Sequence, residues 1–341
     1  MRVIFCSKTF TNNRSVSHVG LGISATNTTK VLRANGILAE IWQVPDVTTL
    51  TSKLESVQKD STPVTHVVIA ALWVPHDTLN VFCVKYPHIQ FAINCHSNVG
   101  FLQADPSAVK LMRQGMALEM GVHNFRVAAN SEKMCKWVVN AYGHPCAYLP
   151  NLYYLNGVEK HTRPAWHSGQ PLRLGCFGAV RPQKNLATSI AAAIELAREL
   201  KVSTEIFVSS ERIEGGPATV LNAIKEMAHN LPLVKLINVG WQGWPDFRTL
   251  VGSMHLCFQV SYTESFNLVT ADGISEGVPS VVSDAIDWVP SYWIAKSDDT
   301  SEVAHVGRML LLNSKAPSDG LKALQNYISS GIAAWKKFLG L

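Results

Sequence analysis

The sequence predicts an α/β protein of two doubly wound parallel sheets, and three observations predict it. Short apolar, strand-like runs alternate with helix-length amphipathic stretches along the chain. That alternation stops once, across residues 151–171, and then restarts. The length of 341 residues exceeds what a single hydrophobic core usually serves. Strands that are apolar throughout are buried on both faces, and that requires helices on both sides of a parallel sheet.

Strand-like runs in the first half lie at 2–6, 37–44, 66–72, 88–94, 124–129 and 145–149. Each is short and rich in β-branched, aromatic or other apolar residues. Helical spacing of apolar residues falls between them, near 22–35, 48–59, 76–86, 106–121 and 131–142. Residues 151–171, NLYYLNGVEKHTRPAWHSGQP, have no period and carry Pro, Gly, His and Ser, a linker composition. The second half has strand-like runs at 172–178, 203–210, 233–240, 255–260 and 279–283, with helices expected near 184–200, 217–229, 245–252 and 267–276. A last helix, roughly 318–338, carries Trp335 and Phe338, which suit packing back on the first domain. The expected division is a first domain at 1–150, a linker at 151–171, a second domain at 172–317 and a closing helix within 318–341. Two such sheets leave a cleft between the carboxyl ends of their strands, where ligands of open α/β sheets bind.

Composition excludes several function classes. The net charge of +5 is mild, and Lys and Arg are dispersed with no polybasic run. This disfavours nucleic acid and suits an anionic substrate or peripheral contact with an acidic membrane surface. No run of about 18 apolar residues suggests a membrane span. The N-terminal MRVIFCSKTF reads as a strand and not as a signal peptide. Seven cysteines, none spaced C-x-x-C, suggest reduced structural thiols in a cytoplasmic compartment. H-E-x-x-H, P-loop, G-x-S-x-G and kinase motifs are absent. There is no D-x-D pair for a metal on a diphosphate; Asp298 and Asp299 read as solvated loop charge.

The chemistry concentrates in 258–283, FQVSYTESFNLVTADGISEGVPSVVS. This is a strand, a loop, a helix start, a Gly-Val-Pro turn and another strand. If the helix begins near Ser265, Glu264 and Asp272, eight residues apart, share one side of it. The amides of Phe266, Asn267 and Leu268 would then offer donors and a positive dipole end to an anion. Carboxylates beside a phosphate-binding helix end suit a ligand that has both phosphate and sugar hydroxyls. A second segment, FGAVRPQKN at 177–185, places Arg181 and Lys184 at a strand-to-helix turn, where they could clamp a diphosphate. Gly20 and Gly22 read as a turn before the first helix, open to close approach by a ligand, although the pattern is not G-x-G-x-x-G. His96 follows the 88–94 strand, where sites of such sheets lie.

On these residues the chain resembles the retaining glycosyltransferases of the GT-B fold, the group 1 or family-four type that includes bacterial mannosyltransferases and sucrose synthases. The resemblance implies two Rossmann-like domains facing across a cleft. The first shapes the acceptor site and the second binds the nucleotide sugar. The family's paired acids correspond to Glu264, on the donor sugar, and Asp272, on the nucleotide ribose; Asp in place of Glu is a departure. Lys184 stands where the family has its Lys, whereas Ala179 occupies the usual Arg place and an Arg appears at 181. His96 is similar to the residue that lines donor sugar and acceptor. Gly20 and Gly22 resemble the first glycine loop, and the 238–244 segment lies where relatives hold the base. The implied activity is front-face transfer of a hexose, with retention and without a metal, from a nucleoside-diphosphate sugar, UDP ahead of GDP. The hydroxyl acceptor would be a saccharide, a lipid-linked molecule or a small molecule. Glu264 and His96 would serve the reacting sugar, and no permanently bound cofactor is implied. Two other readings stay open: a non-catalytic sugar-nucleotide or glycan-binding protein, and a sugar-nucleotide epimerase.

Overall fold

The computed structural model describes residues 1–9, 18–103, 105–167, 169–209, 219–240 and 242–341. They form two compact units, Met1–Tyr154 with Ile328–Leu341, and Leu155–Tyr327.

The first unit contains β1 (Arg2–Lys8), α1 (His18–Ala34), β2 (Leu38–Val44), α2 (Val47–Ser56), β3 (His66–Ala70), α3 (His76–Lys85), β4 (Gln90–Cys95), α4 (Val99–Leu102), α5 (Pro106–Gly121), β5 (Phe125–Ala129), α6 (Glu132–Tyr142) and β6 (Ala147–Tyr148). Its parallel sheet has the order β2-β1-β3-β4-β5-β6. Successive residues point to opposite faces of a strand, and both faces are buried. Ile4, Val67, Ile69, Phe91, Ile93 and Val127 pack with residues of α2, α3, α5 and α6. Val3, Phe5, Val68, Ala92 and Ala128 pack on the other side with α1 and with Trp335 and Leu339 near the chain's end. The rings of Phe5 and Trp335 lie 5.2 Å apart, and the Trp335 indole donates to the Pro150 carbonyl at 2.9 Å. Helix α6 shows local causes at both ends. Ser131 caps α6 by accepting from the Met134 amide, and Gly143 ends it with a left-handed φ of 62°.

The second unit contains β7 (Leu172–Cys176), α7 (Leu186–Leu200), β8 (Thr204–Ser209), α8 (Thr219–Ala228), β9 (Val234–Val239), α9 (Trp244–Val251), β10 (Leu256–Gln259), α10 (Leu268–Ser275), β11 (Ser280–Val282), α11 (Thr300–Leu312) and the first part of α12 (Ala316–Leu339), whose remainder belongs to the first unit. The parallel strands run in the order β11-β10-β7-β8-β9. Helix α11 is absent from the sequence reading, and Asp299, read there as loop charge, is its N-cap, accepting from the Glu302 amide at 3.0 Å. Residues leading into β7 are tied to α10: the Lys160 amide donates to the Ser275 carbonyl at 3.0 Å, and its ammonium meets Glu276 at 2.8 Å. Gly277, at φ 77°, makes room for this segment, since a side chain there would collide with the Thr162 carbonyl.

No helix of the described residues is long and apolar enough to cross a membrane. All seven cysteines are free thiols. Gly20 and Gly22 do not form a turn. Both lie in the first two turns of α1, and neither has a positive φ. The helix tolerates the cost of about 1 kcal/mol per glycine, which is why the turn signal misled. Residues 15–17 of that expected turn are outside the described residues.

Candidate functional site

The order of the second sheet creates the site. Strand β7 leads through α7 to β8 on one side, and its other neighbour β10 leads through α10 to β11 on the opposite side. Turns leaving two adjacent strands in opposite directions open a crevice at their carboxyl ends. Residues 177–185 and 260–267 form those two turns.

Asn185 joins them. Its backbone is left-handed at φ 50°, which ends the short helical turn Pro182–Lys184 and starts α7. Its side-chain amide donates to the Val260 carbonyl at 3.0 Å and the Ser297 carbonyl at 2.5 Å. The Tyr262 amide donates to the Gln183 carbonyl at 3.0 Å. Gly178, at φ 137°, adopts a backbone conformation that residues with a Cβ rarely take, and the Lys184 stem runs past it, its Cδ 3.8 Å from where a Cβ would be.

Lys184 and Glu264 therefore meet as an ion pair, Nζ on Oε1, with side chains only 15% and 10% exposed. Two further donors reach the same oxygen, Ser261 Oγ at 2.9 Å and Asn267 Nδ2 at 3.1 Å. Burial opposes ionisation of Glu264 most strongly, but the Lys184 charge, the hydrogen bonds from Lys184 and Ser261, and the Arg181 charge together hold its carboxyl below the ordinary value. The acid is an anion at neutral pH.

Helix α10 begins at Leu268, not near Ser265. Asn267 is its N-cap, with a left-handed φ of 68° and an Oδ1 that accepts from the Thr270 amide at 2.8 Å. Glu264 consequently lies in the loop, and the two acids do not share a helix face as the spacing predicts. Asp272 sits inside α10, 2% exposed, and its Oδ1 accepts from the Trp244 indole at 3.0 Å. The Trp244 ring also lies 5.8 Å from the Arg248 guanidinium, which bonds Glu276 at 2.7 Å.

Phe266 turns inward. Its ring stacks on Trp288 at 5.2 Å and on Tyr327 at 5.1 Å, and its carbonyl accepts from the Trp288 indole at 2.6 Å. The side chain is an anchor for the loop, which leaves only its backbone amide to face a ligand. Leu268, half-buried, is the first helical residue. Arg181 precedes the short turn in extended conformation and is close enough to act on Glu264.

The structure thus brings Arg181, Lys184, Glu264, Phe266, Asn267 and Leu268 to one crevice, with Asp272 one layer further along α10. His96 and the glycines belong to the other unit. His96 follows β4, its Nδ1 is 3.4 Å from Asn130 Nδ2, and burial pushes its pKa down to about 4, so the ring is neutral at physiological pH. Within the 238–244 segment, Trp241 lies outside the described residues. Sequence reasoning does not single out Gln259, Ser261 or Asn185, and it includes Trp244 only within the 238–244 segment. A polar residue closing an otherwise apolar buried strand, as Gln259 does, is the signal that could have found the first of these. Among the described residues, no group of three or more His, Cys, Asp or Glu is placed to hold a metal ion.

No protein-family profile matches the chain, and no curated protein sequence does. Solved structures do. Anabaena HepE in complex with UDP-glucose aligns with a TM-score of 0.66 at 12% identity, over 100% of both chains. An alpha,alpha-trehalose-phosphate synthase (UDP-forming) from Burkholderia xenovorans, in complex with glucose-6-phosphate, aligns with a TM-score of 0.66 at 10% identity, again over 100% of both. A mutant of S. aureus TarM, in complex with fondaparinux, alpha-GlcNAc-glycerol and UDP, aligns with a TM-score of 0.63 at 15% identity, over 86% of this chain and 57% of TarM. At such identities the likeness is one of fold, and the conclusion is drawn at that level: the chain has the GT-B fold, two Rossmann-like α/β domains, in common with these glycosyltransferases.

Proposed function

We propose that the chain is a retaining glycosyltransferase that moves a hexose from a nucleoside-diphosphate sugar, UDP ahead of GDP, to a hydroxyl acceptor without a metal. The observation that carries this reading is the buried Lys184–Glu264 pair beside the N-terminus of α10, at the switch point of the second sheet. A cation, a helix dipole and a carboxylate within one crevice match a ligand that carries phosphate and hydroxyls together.

In this reading Arg181, Lys184 and the amides at 266–268 hold the diphosphate and stabilise the charge that develops on it as the glycosidic bond breaks. Glu264 accepts hydrogen bonds from sugar hydroxyls and orients the ring; a carboxylate ringed by donors is a positioning group, not a nucleophile. The acceptor hydroxyl attacks from the face that the diphosphate leaves, and the departing phosphate oxygen takes its proton. Asp272 accepts from the ribose, with Trp244 fixing its carboxylate. In the first unit, neutral His96 accepts from or donates to sugar hydroxyls, and Gly20 and Gly22 keep the start of α1 clear of side chains. The sugars held in structures of similar fold, glucose-6-phosphate and fondaparinux among them, favour a saccharide or a phosphosugar as acceptor.

The test is turnover. Purified protein is screened by thermal shift against UDP-, GDP- and ADP-sugars, since a bound ligand stabilises by mass action. Release of the nucleotide from the stabilising donor is then measured with saccharide acceptors present, and the product anomer is read by NMR. The proposal expects donor-specific release and an α-linked product from an α-linked donor. Stabilisation by a sugar nucleotide with no transfer or hydrolysis would favour the non-catalytic reading. Conversion of the bound sugar to its epimer would favour the epimerase reading.

A further inference from the structure

The residue that most departs from what a bare helix start needs is Asn267. Its φ of 68° and ψ of 89° are strained for a residue with a Cβ and free of strain for glycine. A side chain kept there has work that offsets the strain. Its amide has two N–H donors and one carbonyl, and all three functions are used inside the protein. Nδ2 donates to Glu264 Oε1 at 3.1 Å and to Gln259 Oε1 at 3.1 Å, and Oδ1 accepts from the Thr270 amide at 2.8 Å. Gln259, the last residue of β10 and 3% exposed, is itself oriented, because its Nε2 donates to the Phe177 carbonyl at 2.9 Å. A chain of hydrogen bonds therefore runs from the end of β7 through Gln259 and Asn267 to Glu264. It opposes the pull of Lys184 on the same carboxylate oxygen from the facing turn.

We infer that Asn267, backed by Gln259, is a positioning residue that fixes the Glu264 carboxylate for the donor sugar, and that its side-chain amide does not contact the diphosphate. This rests on the functional reading above in one respect only, that the sugar lies at Glu264. The diphosphate is left to the backbone amides at the helix start, that of Asn267 included, and to the two cations.

Three variants test it. Asn267→Gly removes the side chain and relieves the backbone strain. Asn267→Asp keeps the cap on Thr270 but sets a second carboxylate against Glu264. Gln259→Met removes the support while keeping the volume. Glu264 is faced by Lys184 and Arg181 from the turn after β7, by Ser261 in its own loop and by Asn267 from α10. Loss of one donor raises its titration modestly, and an added carboxylate raises it further. The expected results are a fall in kcat of at least tenfold for Asn267→Gly, with KM for the donor and Kd for UDP within threefold of wild type. The acid limb of the kcat profile moves upward in Asn267→Asp. Gln259→Met shows a smaller loss of kcat with the same sparing of UDP. A second readout needs no turnover: carboxyl-carbon NMR of Glu264 in the unliganded protein should show a raised titration midpoint in both Asn267 variants. If wild type proves inactive, the functional reading fails, and this titration still decides the positioning role. Loss of UDP affinity in parallel with kcat would overturn the inference, as would an unchanged Glu264 titration. Should Asn267→Gly fail to fold, Asn267→Asp and Gln259→Met carry the same comparison.

Discussion

Lys184 has two claimants, the Glu264 carboxylate it holds in this structure and the phosphate it would hold in a complex. The pair is largely buried, so its members are coupled. Glu264→Gln should release Lys184, sparing or tightening the affinity for bare UDP while reducing turnover strongly. Asp272→Asn should instead weaken bare UDP by about 1–3 kcal/mol through a poorly paired ribose hydroxyl. Its fold should persist, because an amide oxygen still accepts from the Trp244 indole. Kinetics and UDP titrations on both mutants check this; identical phenotypes would defeat the division of roles. Protonation acts at the same scale. His66, His96 and His255 are each pushed by burial from 6.5 down to about 4. For a base depressed in the folded state, the unfolded chain binds the proton more readily, so stability present above 6.5 is lost as the pH falls toward 4. Glu264, held below its ordinary value, adds its loss only at the acid end. Thermal melts should therefore decline between about pH 6.5 and 4, and a flat profile over that window would contradict the burial of these rings.

At the scale of elements, the sequence reading located the strands well and the helix starts less well. Strand β10 and helix α10 are legible in FQVSYTESFNLVTADG because an apolar run gives way to polar residues and then to helical spacing. The start of α10 was misplaced because its cap is a left-handed Asn, a conformation that composition does not announce. Helix α11 was missed although Asp299 and Glu302 stand at capping-box spacing ahead of an apolar run. Lys184 and Glu264 were both singled out, yet their contact is not local: it depends on β7 lying beside β10, and on Asn185 and Tyr262 tying the turns together. Asn267 is legible as a residue of the helix start, but its bonds to Glu264 and Gln259 are not, and Gln259 takes its role from the Phe177 carbonyl beyond β7. Packing of the loop is also an element property. Trp288→Ala should remove the stack on Phe266 and the indole bond to its carbonyl, and destabilise by about 3–5 kcal/mol as large aromatic truncations do. Chemical denaturation measures it, and a change below about 1 kcal/mol would show that the stack does not anchor the loop.

At the scale of the molecule, the fold is shared with proteins of 10–15% identity over most or all of this chain. What is shared at such identities is the fold; the residues that line the site decide the chemistry. With Lys184, Arg181 and a helix N-terminus supplying positive charge, transfer should survive excess chelator. Loss of activity in EDTA, restored by manganese or magnesium, would contradict that. The proposed function requires this crevice to bind a nucleoside diphosphate through Lys184. Calorimetric titration of UDP into wild type and into Lys184→Ala tests it most directly, with folding of the mutant verified by its melt. Saturable one-to-one binding is expected for wild type, weakened by about 1.5–3 kcal/mol in the mutant, the value of a charge-assisted contact. Absence of UDP binding in wild type, or equal affinity in both proteins, would contradict it.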